Sequence, residues 1–122
     1  MEDEPAILRL ACKVLERQGY RIIAASSPEE AIQHARNSEG QIRLLITDVI
    51  MPSMNGRELS RKVTALHPRI NTLYMSGYPA NVIADQGVLE EAVDFIQKPF
   101  ANRDLALKVR QALDREITPL TN

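Results

Sequence analysis

Cysteine is nearly absent from this 122-residue chain: Cys12 stands alone, so no disulfide can close within it. A single free thiol fits a reducing compartment, and a cytoplasmic location is expected. Histidine is scarce too. His34 and His67 lie far apart with no cysteine or histidine at ligand spacing, which argues against a zinc centre. No apolar run approaches the ~20 residues of a membrane span, and no charged-then-apolar leader opens the sequence. Charge of one sign is not in excess. A net charge of -1 and a pI near 6.1 disfavour a dedicated nucleic-acid binder. There is no internal repeat or low-complexity tract.

What is present is alternation. Apolar residues at helical spacing predict a helix over 5–18, with Pro5 in its first turn and Gly19 just past its end. Ile7, Leu8, Ala11 and Leu15 share one face of it. Further helices are expected over 27–40, 56–67, 81–92 and 102–116. Ser27 and Glu30 bracket Pro28 in a capping-box pattern. Leu59, Val63 and Leu66 form the inner face of one later helix, and Leu105, Val109, Ala112 and Leu113 that of the last. Between the helices lie short apolar runs: YRIIAA (20–25), IRLLIT (42–47), NTLYMS (71–76) and VDFIQ (93–97). Continuous apolar strands separated by helices predict an α/β fold, a doubly wound parallel sheet covered on both faces. Residues 1–117 read as one domain and 118–122 as a tail or the start of a linker.

In such a sheet, ligands gather at the carboxyl ends of the strands. Asp48 and Lys98 each follow a strand there, Ser76 ends one, and Glu2 and Asp3 precede the first helix. Three carboxylates, a hydroxyl and an ammonium thus converge on one edge. Carboxylate oxygens suit a hard cation such as Mg²⁺. A carboxylate beside such a cation can attack a phosphoryl group. Lysine and serine would then offset and hydrogen-bond the phosphoryl oxygens. Taken singly, each residue has a plainer reading: Asp48 as a loop cap, Glu2 and Asp3 as helix-start acids, Ser76–Gly77 as a turn, Lys98 as a surface lysine. Their joint occurrence at strand ends favours chemistry.

The acidic pair in MEDEP, the TDVIMPSMNG segment, the SG of YMSGYP and the KPF of DFIQKPF resemble the receiver domain of two-component response regulators, a flavodoxin-like fold. The likeness is greatest to receivers at the C-terminus of hybrid sensor histidine kinases. It implies phosphoryl transfer to Asp48 from a histidine kinase or histidine phosphotransfer domain. It implies Mg²⁺ held by Glu2, Asp3, Asp48 and the Ile50 backbone carbonyl. It also implies a cis Lys98–Pro99 bond and a switch formed by Ser76 and Phe95, with Phe95 biased inward. The domain would catalyse its own phosphorylation and dephosphorylation without being a turnover enzyme. Bulky Ile50 and Tyr78 would slow loss of the phosphoryl group. Neither nucleic-acid nor membrane contact is expected of this domain, and a dimer is possible.

The resemblance also implies a central strand ahead of the acidic pair, and none is present in this chain. A phosphorylation-independent interaction module is the alternative function. An aspartyl-nucleophile phosphohydrolase of the haloacid-dehalogenase type is disfavoured, because Ile50 stands where that family needs a second aspartate. Arg9, Lys13 and Arg17 form a basic stripe that reads as a solvated helix face, and Cys12 reads as a small core side chain.

Overall fold

The computed structural model describes residues 1–38, 40–51, 54–79 and 94–114. Its elements run α1 (Pro5–Arg17), α2 (Pro28–Asn37), β1 (Leu44–Asp48), α3 (Gly56–Leu66), β2 (Asn71–Ser76), β3 (Asp94–Gln97) and α4 (Asn102–Asp114). The helix expected over 81–92 and the tail at 118–122 lie outside the described residues.

Local chemistry sets the helix ends. Pro5 fixes φ at the start of α1, and Gly19 takes a φ of 90° two residues beyond its end, a region open to glycine at little cost. At α2 the Ser27 hydroxyl accepts from the Glu30 N–H at 3.1 Å. The reciprocal bond goes elsewhere than the capping-box pattern implies: the Glu30 carboxylate accepts from the Ser26 N–H and hydroxyl. Asn55 caps α3, its side-chain oxygen accepting from the Glu58 N–H at 2.8 Å.

The described sheet has three parallel strands in the order β1-β2-β3. Residues alternate across it. Leu44, Ile46, Leu73, Met75 and Ile96 pack with Val14, Leu15, Leu105, Val109 and Ala112, so α1 and α4 cover one face. Leu45 packs with Ala35, Leu59, Val63 and Ile70, so α2 and α3 cover the other. This is the doubly wound α/β arrangement. Two apolar expectations shift. Leu66 is exposed rather than inward, and Val14 is buried on α1 where Ile7 and Leu8 are only half-buried.

The run 20–25, read as a strand, carries no strand pairing here. An apolar run becomes a strand only when a neighbouring strand exchanges backbone hydrogen bonds along it, and among the described residues what reaches it from the β1 side is the Glu2 N–H, bonded to the Ala25 carbonyl at its end. Between this run and the outer edge of β1 is a cleft of about 940 Å³. Its walls include Leu8, Leu15, Ile22, Leu44, Ile46 and Val63.

Candidate functional site

Three parallel strands end together, and their register sets the site. Asp48 pairs with Met75, one residue short of Ser76, and Ser76 pairs with Gln97, one residue short of Lys98. The Lys98 N–H continues the ladder to the Ser76 carbonyl at 2.7 Å. Asp48, Ser76 and Lys98 therefore stand side by side at the carboxyl edge. The peptide bond after Lys98 is cis.

The acidic pair comes from the opposite end of the chain. The Glu2 N–H donates to the Ala25 carbonyl at 3.0 Å, and the Met1 ammonium donates to the Ile46 carbonyl. These bonds swing Glu2 over the sheet edge, where it is only 2% exposed. Asp3 is exposed beside it. Carboxylate oxygens of Glu2, Asp3 and Asp48 all lie within 4.8 Å of one another.

Lys98 ties this cluster together. Its Nζ donates to Asp48 Oδ1 at 2.5 Å and to Glu2 Oε2 at 3.1 Å. Asp48 is 5% exposed, so its charge needs a partner close by. Burial alone would weaken the Lys98 ammonium, but Asp48 and then Glu2 outweigh it and hold its pKa above the usual lysine value. Glu2 moves the other way from an ordinary carboxylate. Burial first, and then the neighbouring Asp48, push its pKa up to about 7, against the opposing pull of Lys98. Three carboxylates converge here beside the Lys98 ammonium, which leaves negative charge that a cation could offset. Oxygen donors suit a hard divalent ion, so the residues fit Mg²⁺.

Ser76 is buried, and its hydroxyl accepts from the Tyr78 N–H at 3.0 Å. Phe95 is half-buried on β3, opposite Tyr74. Ile50 and Tyr78 are exposed beside the site. Arg9, Lys13 and Arg17 are exposed along α1, and Cys12 is half-buried.

Sequence reasoning missed two contributors. Gly56 is buried under Asp48, its N–H donating to the Val49 carbonyl at 2.7 Å. A Cβ there would collide with the Asp48 carbonyl oxygen. The glycine in PSMNG was the available signal. Thr47 is buried next to Asp48, and its hydroxyl donates to the Asp48 carbonyl at 3.1 Å. Nothing in a lone strand threonine distinguishes that role.

A parallel sheet with acids, a hydroxyl and a lysine at its carboxyl edge defines a class, and the comparisons agree with it. Residues 1–110 match the response regulator receiver domain family. The chain belongs to that family and is a receiver domain of two-component signalling. Among its relatives, the sensor kinase CckA of Brucella abortus (strain 2308) is 30% identical over 116 residues, 95% of this chain but 12% of the kinase. The response regulator receiver protein CpdR of the same organism is 30% identical over 112 residues, 92% of each chain. The solved receiver domain of a hybrid histidine kinase CckA superposes with a TM-score of 0.76 at 34% identity, covering 93% of this chain and 94% of that one. Receiver domains work with histidine kinase or phosphotransfer partners and generally bind Mg²⁺ in an acidic pocket. Among the described residues, no helix is long and apolar enough to cross a membrane.

Proposed function

We propose that Asp48 is the phosphoryl acceptor of this receiver domain. The observation that carries the reading is the Lys98 ammonium seated between the buried Asp48 and Glu2 carboxylates at the strand ends. An Asp48 carboxylate oxygen attacks the phosphorus of a phosphohistidine. The P–N bond breaks, the leaving imidazole takes up a proton, and an acyl phosphate forms on Asp48. Lys98 Nζ donates to Asp48 Oδ1 before the reaction and offers its ammonium to the phosphoryl oxygens afterwards. The Ser76 hydroxyl, whose oxygen accepts from the Tyr78 N–H, still has its own proton to donate to one of those oxygens.

Mg²⁺, held by Glu2, Asp3, Asp48 and the Ile50 carbonyl, would neutralise the charge that gathers on the phosphoryl group. The added phosphoryl charge biases the Ser76 and Phe95 surface, which is how the state is passed on. The domain modifies itself and does not turn over a substrate. The partner is a phosphohistidine-bearing kinase or phosphotransfer domain, and the setting is the cytoplasm.

The test is intact mass after incubation with Mg²⁺ and acetyl phosphate. One added phosphoryl group on the wild-type chain and none on Asp48→Asn is the expected result. A modified Asp48→Asn chain would move the acceptor elsewhere. No uptake by a folded wild-type chain would favour a phosphorylation-independent interaction module.

A further inference from the structure

Charge is segregated between the two ends of this molecule. The later helices start at the carboxyl edge of the sheet, near the Asp48 cluster, and their first turns carry acids: Glu29 and Glu30 on α2, Glu58 on α3 and Asp104 on α4. The opposite, amino edge carries arginine. Arg17 and Arg36 sit in the last turns of α1 and α2. Arg21, Arg43 and Arg69 stand on the segments that enter the 20–25 run, β1 and β2, and Arg110 lies toward the end of α4. All six are exposed.

Contacts between elements hold these segments together at that end. The His67 ring reaches the Ala35 carbonyl next to Arg36 and the Ile42 N–H next to Arg43, and Arg69 follows shortly after it. The Asn71 amide, just beyond Arg69, reaches the Ala112 carbonyl just beyond Arg110. Arg21, Arg43 and Arg110 share the lining of the cleft beside β1.

Helix dipoles explain only part of this set. A cation in a last turn offsets the negative carbonyl end of a helix, which accounts for Arg17 and Arg36. Arg21, Arg43 and Arg69 stand ahead of strand-like segments instead. Among the described residues Arg110 is paired, with Asp114 at 3.3 Å, and the other five have no ion-pair partner. The chain's lysines, Lys13, Lys62, Lys98 and Lys108, all lie elsewhere. The guanidinium is the cation whose planar fork matches a phosphate.

The distribution of these groups selects the occupant. They come from the sheet and from the helix layers on both its faces, so they cover one end of the molecule in two dimensions. An extended acidic peptide would engage a row of them, whereas a plane of anions engages all six. Leu66 and Pro68 are exposed beside Arg69. An apolar tip among cations suits a headgroup layer with hydrocarbon beneath it.

We infer that the amino edge is a docking face for an anionic phospholipid bilayer, with Arg17, Arg21, Arg36, Arg43, Arg69 and Arg110 on the headgroup phosphates. A net charge of -1 gives no expectation of membrane contact, but association follows the local potential of a face rather than the sum over the chain. In this pose the Asp48 edge faces away from the lipid, open to a protein partner. The inference does not depend on the phosphoacceptor reading.

The test is sedimentation of the chain with vesicles of phosphatidylcholine alone and of phosphatidylcholine with about 30% phosphatidylserine. Wild type is expected to pellet with the anionic vesicles only, and to be released from them at about 0.5 M NaCl. Arg21→Gln, Arg43→Gln and Arg69→Gln together should weaken binding at least about tenfold. Arg61→Gln, Lys62→Gln and Lys108→Gln together remove the same charge from the helix flanks and should weaken it less than about twofold. All six positions are exposed, so both variants should keep the wild-type circular dichroism. No binding of wild type to the anionic vesicles overturns the inference, and so does equal weakening by the two triples, which would reduce the effect to net charge. Tighter binding to polyglutamate than to the vesicles would assign the face to an acidic protein. A wild-type dimer lost in the amino-edge triple would assign it to the acidic end of a second copy. Either result rejects the lipid.

Discussion

The balance of charge at the site rests on single side chains. Lys98 is the described cation bonded to both Asp48 and Glu2. Lys98→Met leaves two buried carboxylates facing each other and should cost about 3 kcal/mol at pH 8 in the absence of divalent ions. Urea unfolding would measure it, and a loss below about 1 kcal/mol would mean the pair is screened by water. Glu2 makes its own prediction. Its folded pKa is raised to about 7 from 4.5, so the folded chain binds more proton than the unfolded chain between those values. This contribution is complete below pH 4.5 and is lost as the pH rises through about 7. Stability of the metal-free protein should therefore fall from about pH 5 to about pH 8, by as much as ~3 kcal/mol. Glu2→Gln should flatten that slope and stabilise the protein at the upper end. A slope unchanged in Glu2→Gln would assign the titration to another group. Gly56→Ala should cost about 1–3 kcal/mol by driving a methyl into the Asp48 carbonyl, and the phosphoryl uptake proposed for Asp48 should fall out of proportion to that loss.

Elements are tied by a few long-range polar bonds as well as by the core. His67, at the end of α3, has its Nε2 2.9 Å from the Ala35 carbonyl of α2, while its Nδ1 accepts from the Ile42 N–H ahead of β1 at 3.4 Å. The first of these bonds requires the proton on Nε2 and the second a bare Nδ1, so the neutral ring satisfies both. His67→Phe keeps the bulk and strands both backbone groups, and a loss of about 1–3 kcal/mol is expected on denaturant titration. A variant as stable as wild type would show that water serves those groups equally well. Asn71 plays a similar part, its amide donating to the Ala112 carbonyl of α4 at 2.7 Å. None of these ties could be read from sequence, since a polar residue at an element end signals a cap or a turn with no hint of a partner 25 to 41 positions away. The elements themselves were far more legible. Apolar periodicity located α1 to α4, and the punctuation by Pro5, Ser27 and Gly19 set their ends. Asp48, Ser76 and Lys98 were legible because a parallel sheet delivers whatever follows its strands to one edge. Residues 20–25 show where this reading stops. Composition reports that a run is apolar, whereas strand formation also needs a neighbour, and the neighbour is not part of the run.

For the molecule as a whole, the proposed Mg²⁺ and the Glu2 proton would compete at one place. Mg²⁺ held by Glu2 would require that carboxylate ionised, so on this reading cation affinity should rise as pH climbs through about 7. The Tm increase produced by Mg²⁺ should accordingly be larger at about pH 8 than at about pH 6, and it should be small in Asp48→Asn at both. Equal increments at the two pH values would place the cation away from Glu2. The ion pair from Lys98 to Glu2 spans 96 positions and that from Lys98 to Asp48 spans 50. Contacts of such separation form late, since a long loop must close before they can. During synthesis the acidic pair emerges first and waits without its counter-ion until nearly the entire domain has left the ribosome. An amino-terminal fragment that ends before Lys98, released early or clipped by a protease, would lack the cation of this constellation. On the proposed reading of Asp48, phosphoryl uptake would thus need a chain translated through β3 and Lys98.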